Sequence, residues 1–297
     1  MEKNKRKCGD RYDARLVRSI DGMHTVMFHL MPDRTAAEVY TPDKLDVTEL
    51  LRYIAVKNSA HPEAKINLFQ CFVTALLRMV WEQPRINRFV QGRRIYERND
   101  VTLSFICKLS FDEDAEETSI IVRARPDDTV DTIGARMRAE IRAAKQKTTE
   151  ANEVDVVLNR LAKLPRPMLT ALFGVLRRLD YHGRDLSALT AGDPNYCSVL
   201  LSNLGSIGMP AAYHHLNNYG TTSMVVTMGV VHKEEVILPD ETKAIRDILD
   251  IGTTVDERVA DGFAFALAVK RLKTILAHPE ILDRPFSVPS GESAGVS

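Results

Sequence analysis

The chain has 297 residues, of which 44% are hydrophobic, and its 40 Lys and Arg residues are balanced by 40 Asp and Glu. That length buries a substantial core, in one large domain or two medium ones, and the zero net charge gives no global field to recruit nucleic acid or an anionic membrane. No apolar run reaches the roughly 18 residues needed to span a bilayer, and the basic start MEKNKRK lacks the apolar core of a secretory signal. A soluble, cytoplasmic protein without a transmembrane segment is expected. Cys8, Cys71, Cys107 and Cys197 are scattered, with no C-x-x-C pair and no His at ligand spacing. They read as reduced thiols, with neither disulfide nor metal.

In chain order, Asp21-Gly22 is a turn signal, and VMFHLM after it fits strand or helix equally well. Ala37 to Tyr40 alternates like a strand, Thr41-Pro42-Asp43 reads as a turn, and Asp46 with Glu49 forms a capping box that opens a helix over Val47–Lys57. Ile66 to Glu82 is apolar over most of its circumference, a buried helix ended by Pro84. Asn87 to Tyr96 reads as two short strands around Gly92, and Val101–Leu109 and Thr118–Arg125 as two more, continuing an antiparallel meander. Ile133, Met137 and Ile141 stripe a charged helix over Asp131–Lys147. Val154–Leu164 and Pro167–Leu179 read as a helix pair broken at Pro165-Arg166-Pro167. Tyr196 to Ser202 is a short apolar strand, Asn203 to Gly208 a Gly-punctuated turn and Ser223 to Val231 another strand. A last helix runs from Gly262 to Ala277, and there is no internal repeat.

The most informative stretch is Thr253 to Leu272. Asp256-Glu257-Arg258-Val259-Ala260-Asp261-Gly262 packs charge and a Gly into a strand-to-helix junction, where a reactive group is held rigidly yet exposed. Ser202-Asn203-Leu204-Gly205, then GTTSMVVTMG from Gly220, then DERVADG, in this order and spacing, resemble the catalytic domain of the dihydrolipoamide acyltransferases of 2-oxo acid dehydrogenase complexes. Chloramphenicol acetyltransferase shares that fold. The resemblance runs from about Asp10 to Pro285, diffuse before Asn87 and strong after Tyr196. It implies an α/β (α+β) fold with a mixed sheet flanked by helices, and homotrimers with active sites in channels between subunits. The expected layout is a basic tail at 1–9, one acyltransferase-like domain at 10–285 and a polar tail at 286–297. No lipoyl domain, lipoyl-bearing Lys or partner-gripping domain is read in the sequence.

The family pattern is H-x-x-x-D-G, whose His deprotonates the thiol of coenzyme A or of a dihydrolipoyl group. Here Asp261 and Gly262 match, but Glu257 stands at the His position. The resemblance assigns Ser202 as donor to the tetrahedral oxyanion, Asp261 as structural support paired with an amino-terminal Arg, for which Arg18 is a candidate, and Asn203, Gly205 and Gly262 as substrate contacts. A carboxylate of reference pKa about 4.3 taking a proton from a thiol of about 8.5 works uphill by about 5.7 kcal/mol, an imidazole at about 6.5 by about 2.7 kcal/mol. The difference of about 3 kcal/mol slows the step about a hundredfold. Arg258 next door, by pairing with Glu257, would weaken that base further. His214, His215 and His232 are the substitutes considered for it.

Two functions follow. One is a coenzyme A-dependent acyltransferase taking coenzyme A or acyl-coenzyme A as substrate, free-standing or served by a lipoyl-bearing protein. The other is a catalytically inactive trimer that binds a ligand or serves as a scaffold.

Overall fold

A computed structural model describes residues 6–108, 117–147, 163–190 and 192–287. Its centre is a long hairpin, β8 (Met224–Ile237) and β9 (Lys243–Asp256). Alternation along both strands sends Met224, Val226, Ile251, Thr253 and Val255 towards the helical layer. Thr227 and Gly252 face the other way, where the segment around Ala211 and Ala212 crosses the sheet. β2 (Glu38–Asp46) pairs antiparallel with β9. β7 (Val199–Asn203) pairs parallel with β8 and with β5 (Thr102–Lys108), and β6 (Glu117–Arg123) closes the far edge. The result is a mixed six-stranded sheet, ordered β2-β9-β8-β7-β5-β6.

One face carries α2 (Thr48–Ala60), α3 (Leu68–Glu82), α4 (Val130–Lys147) and a carboxy-terminal helix, here α7 (Gly262–Ala277). The mixed sheet flanked by helices is thus as expected. α3 is its buried axis: Phe72, Leu76 and Leu77 are almost wholly enclosed. Asn67 and Gln70 form a reciprocal capping box that satisfies the first free amides of the helix. Within that apolar helix Arg78 is fully enclosed, and it donates to the carbonyls of Ile281 and Arg284 and to Glu82. A buried guanidinium with so many acceptors ties the chain after α7 back onto α3.

A separate three-stranded sheet orders β1 (Ala14–Leu16), β4 (Arg94–Arg98) and β3 (Arg88–Gln91). Gly92 (φ +59) and Arg93 (φ +56) close the β3–β4 hairpin in the left-handed pair that a tight turn requires. α5 (Arg166–Tyr181) packs beside it. Its buried Asp180 accepts from Arg11 at 2.8 Å and from Gln91 at 2.7 Å. A short α6 (Ser187–Thr190) follows.

Several expectations need correction. The four strands between 87 and 125 do not form one meander: β5 leaves β4 to pair with β6 and β7 in the large sheet. Thr41-Pro42-Asp43 is not a turn, because β2 runs through Pro42 opposite Gly252. As the sheet edge, β2 does not need the missing Pro amide. Asp46 accepts from the amide of Thr48, but the cap residue is Val47 and Glu49 pairs with Arg52 and Arg246. The segment left open at VMFHLM is helix α1 (Gly22–Leu30), capped by Asp21. β8 runs six residues past Val231, where the strand was expected to end, and β9 is 14 residues long. Phe286, placed in the expected tail, is buried with its ring 6.0 Å from Trp81. The expected helix over Val154–Leu164 falls largely outside the described residues. Among described residues no helix is long and apolar enough to cross a membrane, and no His, Cys, Asp and Glu cluster suits a metal.

None of the four cysteines is in a disulfide. Burial pushes the Cys71 thiol up to about 12 and also raises Cys197, so neither offers thiolate at neutral pH. Exposed Cys8 is expected to react first with a thiol reagent at pH 8, with Cys71 and Cys197 reacting only on unfolding. Peptide mapping of time-resolved alkylation checks this, and fast labelling of Cys71 in folded protein would contradict the packing.

Candidate active site

The site starts from a buried ion pair at the end of β9. Asp256 is wholly enclosed and Arg258 nearly so. The guanidinium grips both carboxylate oxygens, Nε to Oδ1 at 2.8 Å and Nη2 to Oδ2 at 2.7 Å, and the Arg258 amide adds a bond to Oδ1 at 3.1 Å. The remaining arm, Nη1, donates to the carbonyl of Met31 at 2.6 Å, just past the end of α1. Arg34, also buried, places Nε 3.8 Å from Asp256 Oδ2, while its other nitrogens donate to the carbonyls of Asn217, Val90 and Gly220. Burial pushes the Arg34 guanidinium down, with Asp256 opposing the shift.

With Asp256 and Arg258 both turned inward, Glu257 between them is turned the other way. Its amide continues the sheet by donating to Ala37 O at 3.0 Å. Its carboxylate makes no hydrogen bond or ion pair with another described residue. The feared Arg258–Glu257 bridge does not form, because the better-buried Asp256 takes the guanidinium. Glu257 instead lines a cavity of about 1180 Å³ between α7 and the β2-β9-β8 face. Most of the wall is apolar, including Val39, Leu76, Met79, Met224, Val226, Val255 and Phe265, and Asp261 and Gly262 stand with Glu257. That volume exceeds the ~300–1,000 Å³ of ordinary small-molecule sites.

Asp261 caps α7, accepting from the Ala264 amide at 2.8 Å, which suits a short acid at a positive helix end. Its second oxygen meets Arg85 at 3.3 Å. Arg18, the candidate for that pairing, is bound instead to Asp10 and to the Cys8 and Leu16 carbonyls. Gly262 is the first residue of α7, with open space where a Cβ would stand.

Ser202 lies on β7 opposite Thr227, half-buried, and is not among the residues lining the Glu257 cavity. A single chain therefore does not bring Ser202 and Glu257 together. Asn203, expected to contact substrate, caps the following turn by accepting from the Ser206 amide at 3.2 Å. Gly205, expected beside it, is needed for packing: a Cβ there would stand 2.3 Å from the Gly229 carbonyl. Gly229 sits in the bulge between Met228 and Val231, so turn and bulge meet backbone to backbone.

The imidazoles singled out from the sequence stand elsewhere. His214 and His215 stack on one another on an exposed loop, and His232 faces Glu234 and Asp250. Sequence reading missed His24 of α1 and His278 at the end of α7, both of which line the cavity with Glu257. The local signal for His24 was Asp21, three residues earlier, whose carboxylate holds His24 Nδ1 at 2.7 Å.

These contacts separate framework from chemistry. Asp256→Asn leaves a buried guanidinium without its counter-charge and is expected to cost about 3–5 kcal/mol. Glu257→Gln, with no partner to lose, is expected to change stability by less than about 0.5 kcal/mol. Denaturant midpoints of the two variants test this, and a large loss for Glu257→Gln would contradict it.

Residues 176–282 match the family model described as 2-oxoacid dehydrogenases acyltransferase (catalytic domain). The chain is 24% identical over 252 residues to the lipoamide acyltransferase component of the branched-chain alpha-keto acid dehydrogenase complex of Bacillus subtilis (strain 168), with 84% of the chain aligned. It spans about half (48%) the length of that relative. Among solved structures it is similar to a dihydrolipoamide acetyltransferase of Azotobacter vinelandii (TM-score 0.59, 16% identity, covering 90% of this chain and 93% of that one). A probable dihydrolipoamide acetyltransferase of Listeria monocytogenes 4b F2365 gives TM-score 0.57 at 13% identity, covering 94% and 98%. A chloramphenicol acetyltransferase gives 0.52 at 13%, covering 89% and 99%. The Azotobacter structure belongs to an investigation of a serine, a histidine and an asparagine in that enzyme's mechanism. By fold, then, this is a chloramphenicol acetyltransferase-like α/β protein whose residues 176–282 carry the sequence pattern of the 2-oxoacid dehydrogenase acyltransferase catalytic domain.

Proposed function

We propose that the protein is a coenzyme A-dependent acyltransferase that moves an acyl group between a coenzyme A thioester and an acceptor thiol. The observation that carries this reading is the DERVADG turn: inside the segment that matches the family, it holds Glu257, Asp261 and Gly262 on the wall of one large, mainly apolar cavity. A thioester arm with its acyl group is long, thin and largely apolar, which suits such a space. Transfer needs three things there: a base for the attacking thiol, a donor for the oxyanion and exclusion of water.

Ser202 is the proposed oxyanion donor. Its hydroxyl makes no hydrogen bond to another described residue, so it is free to donate to substrate. Because it stands away from the Glu257 cavity of its own chain, the site is completed when the β7 end of one subunit meets the α7 cavity of the next. A homotrimer with sites between subunits supplies that arrangement. The acceptor is an unassigned thiol. A dihydrolipoyl group carried on another protein meets the requirement, and would make a lipoyl-bearing chain the partner.

Purified protein is expected to move acyl groups from a panel of acyl-coenzyme A thioesters onto dihydrolipoamide, read by mass spectrometry of the product thioester. Ser202→Ala should lower kcat about a hundred- to thousandfold, and sedimentation should give the mass of three chains or a multiple of three. Failure to acylate any thiol, amine or hydroxyl acceptor in a broad panel would contradict the reading and favour a non-catalytic binding protein.

A further inference from the structure

The base position carries the weaker base, yet the same cavity holds an imidazole. His24 lies in the first turn of α1, and its side chain is 30% exposed. Asp21 engages it twice: one carboxylate oxygen accepts from the His24 amide at 2.9 Å, and the other meets Nδ1 at 2.7 Å. The same contacts hold the Asp21 carboxyl below the usual carboxylate range, so it is an acceptor at neutral pH. An ionised carboxylate on Nδ1 fixes the proton on that nitrogen and leaves Nε2 free to take one.

The placement of α1 is not accidental to the turn. His24 and Met27 line the Glu257 cavity, and Met31, further along the same helix face, takes the Arg258 guanidinium on its carbonyl. Seven residues separate His24 from Met31, about 10 Å of helix. The ion pair that aims Glu257 into the cavity therefore also docks the helix that brings His24 to it.

We propose that His24, oriented by Asp21, is the general base of the acyl transfer, supplying from α1 the imidazole that the DERVADG turn lacks. Nε2 takes the proton of the acceptor thiol as its sulfur bonds to the thioester carbonyl carbon. The carbonyl electron pair moves onto oxygen. When that pair returns, the bond from carbon to the donor sulfur breaks, and the departing thiolate takes the proton back from Nε2. Donor thioester and acceptor thiol become donor thiol and acceptor thioester, with nothing else consumed. Glu257 then serves as a neighbouring charge rather than as the proton carrier.

This rests on the acyltransferase reading, so the test has two arms. In the kinetic arm, His24→Gln is expected to lower kcat at least about a hundredfold with KM little changed. It should also abolish the acid-side fall of the pH profile. Asp21→Asn, which keeps the helix cap, should lower kcat about tenfold. Asp21 contacts His24 directly, and the other titratable or charged groups lining the cavity are Asp43 on β2, Glu257 and Asp261 in the turn, and Lys270, Lys273 and His278 on or just past α7. Among the described residues His278 is the other imidazole lining the cavity, at the carboxy-terminal cap of α7, about 24 Å along the helix from Gly262. Wild-type kcat in His24→Gln would overturn the assignment while leaving the transferase intact. The second arm needs no turnover: in protein labelled at histidine, coenzyme A should shift the His24 ring resonances and desulfo-coenzyme A, lacking the thiol, should not. If wild type transfers nothing, this arm decides, and an unmoved His24 resonance with coenzyme A bound overturns the proposal.

Discussion

The two-point grip of Arg258 on Asp256 sets the direction of every group around the cavity. Both partners are almost completely out of water, so the gross attraction between them is large, but most of it repays desolvation. What the pair contributes is geometry. It locks the last residue of β9 and the second residue of the turn to the inside, leaving Glu257 no choice but the cavity. Through Met31 it fixes α1, and through Arg34 it is linked to the segment before β8. Asp261 then starts α7 by capping it, and that helix supplies one wall of the cavity.

A second constraint is how closely the backbones pack. Gly205 against Gly229, Gly229 against Ala211 and Gly252 against Ala212 leave gaps of about 2.3–2.4 Å to a hypothetical Cβ. No side chain fits at these three points. They bring the turn after β7 and the crossing segment flat against the β8–β9 hairpin, on the face opposite the helices. The cavity thus has a close-packed floor, and Ser202 on β7, opposite Thr227, faces away from it.

Much of this was legible in the sequence where a local rule decides. Gly262 to Ala277 is helical with Asp261 as cap, and the Ile133, Met137 stripe is buried as its spacing demands. The pairing of distant strands was not. Nothing local tells β5 to leave β4 for β7, since that choice is made by parallel contacts some hundred residues away in sequence. Nor does any local rule say that Pro42 is harmless at an edge. The charged turn was read as a unit, but which acid Arg258 chooses depends on burial, which composition does not reveal. His24 was passed over for a related reason: its neighbours in sequence make it a helix-start residue, and only the docking of α1 on Arg258 gives it a cavity to face.

The account turns on the claim that the cavity beside DERVADG receives the thiol of coenzyme A. An experimental structure of the assembled protein with coenzyme A bound tests it most directly. The sulfur is predicted inside the cavity, within about 2.6–3.2 Å of His24 Nε2, with Glu257 beside it and Arg258 still on Asp256. Coenzyme A bound elsewhere, or a cavity filled by side chains with Arg258 swung onto Glu257, would contradict the account.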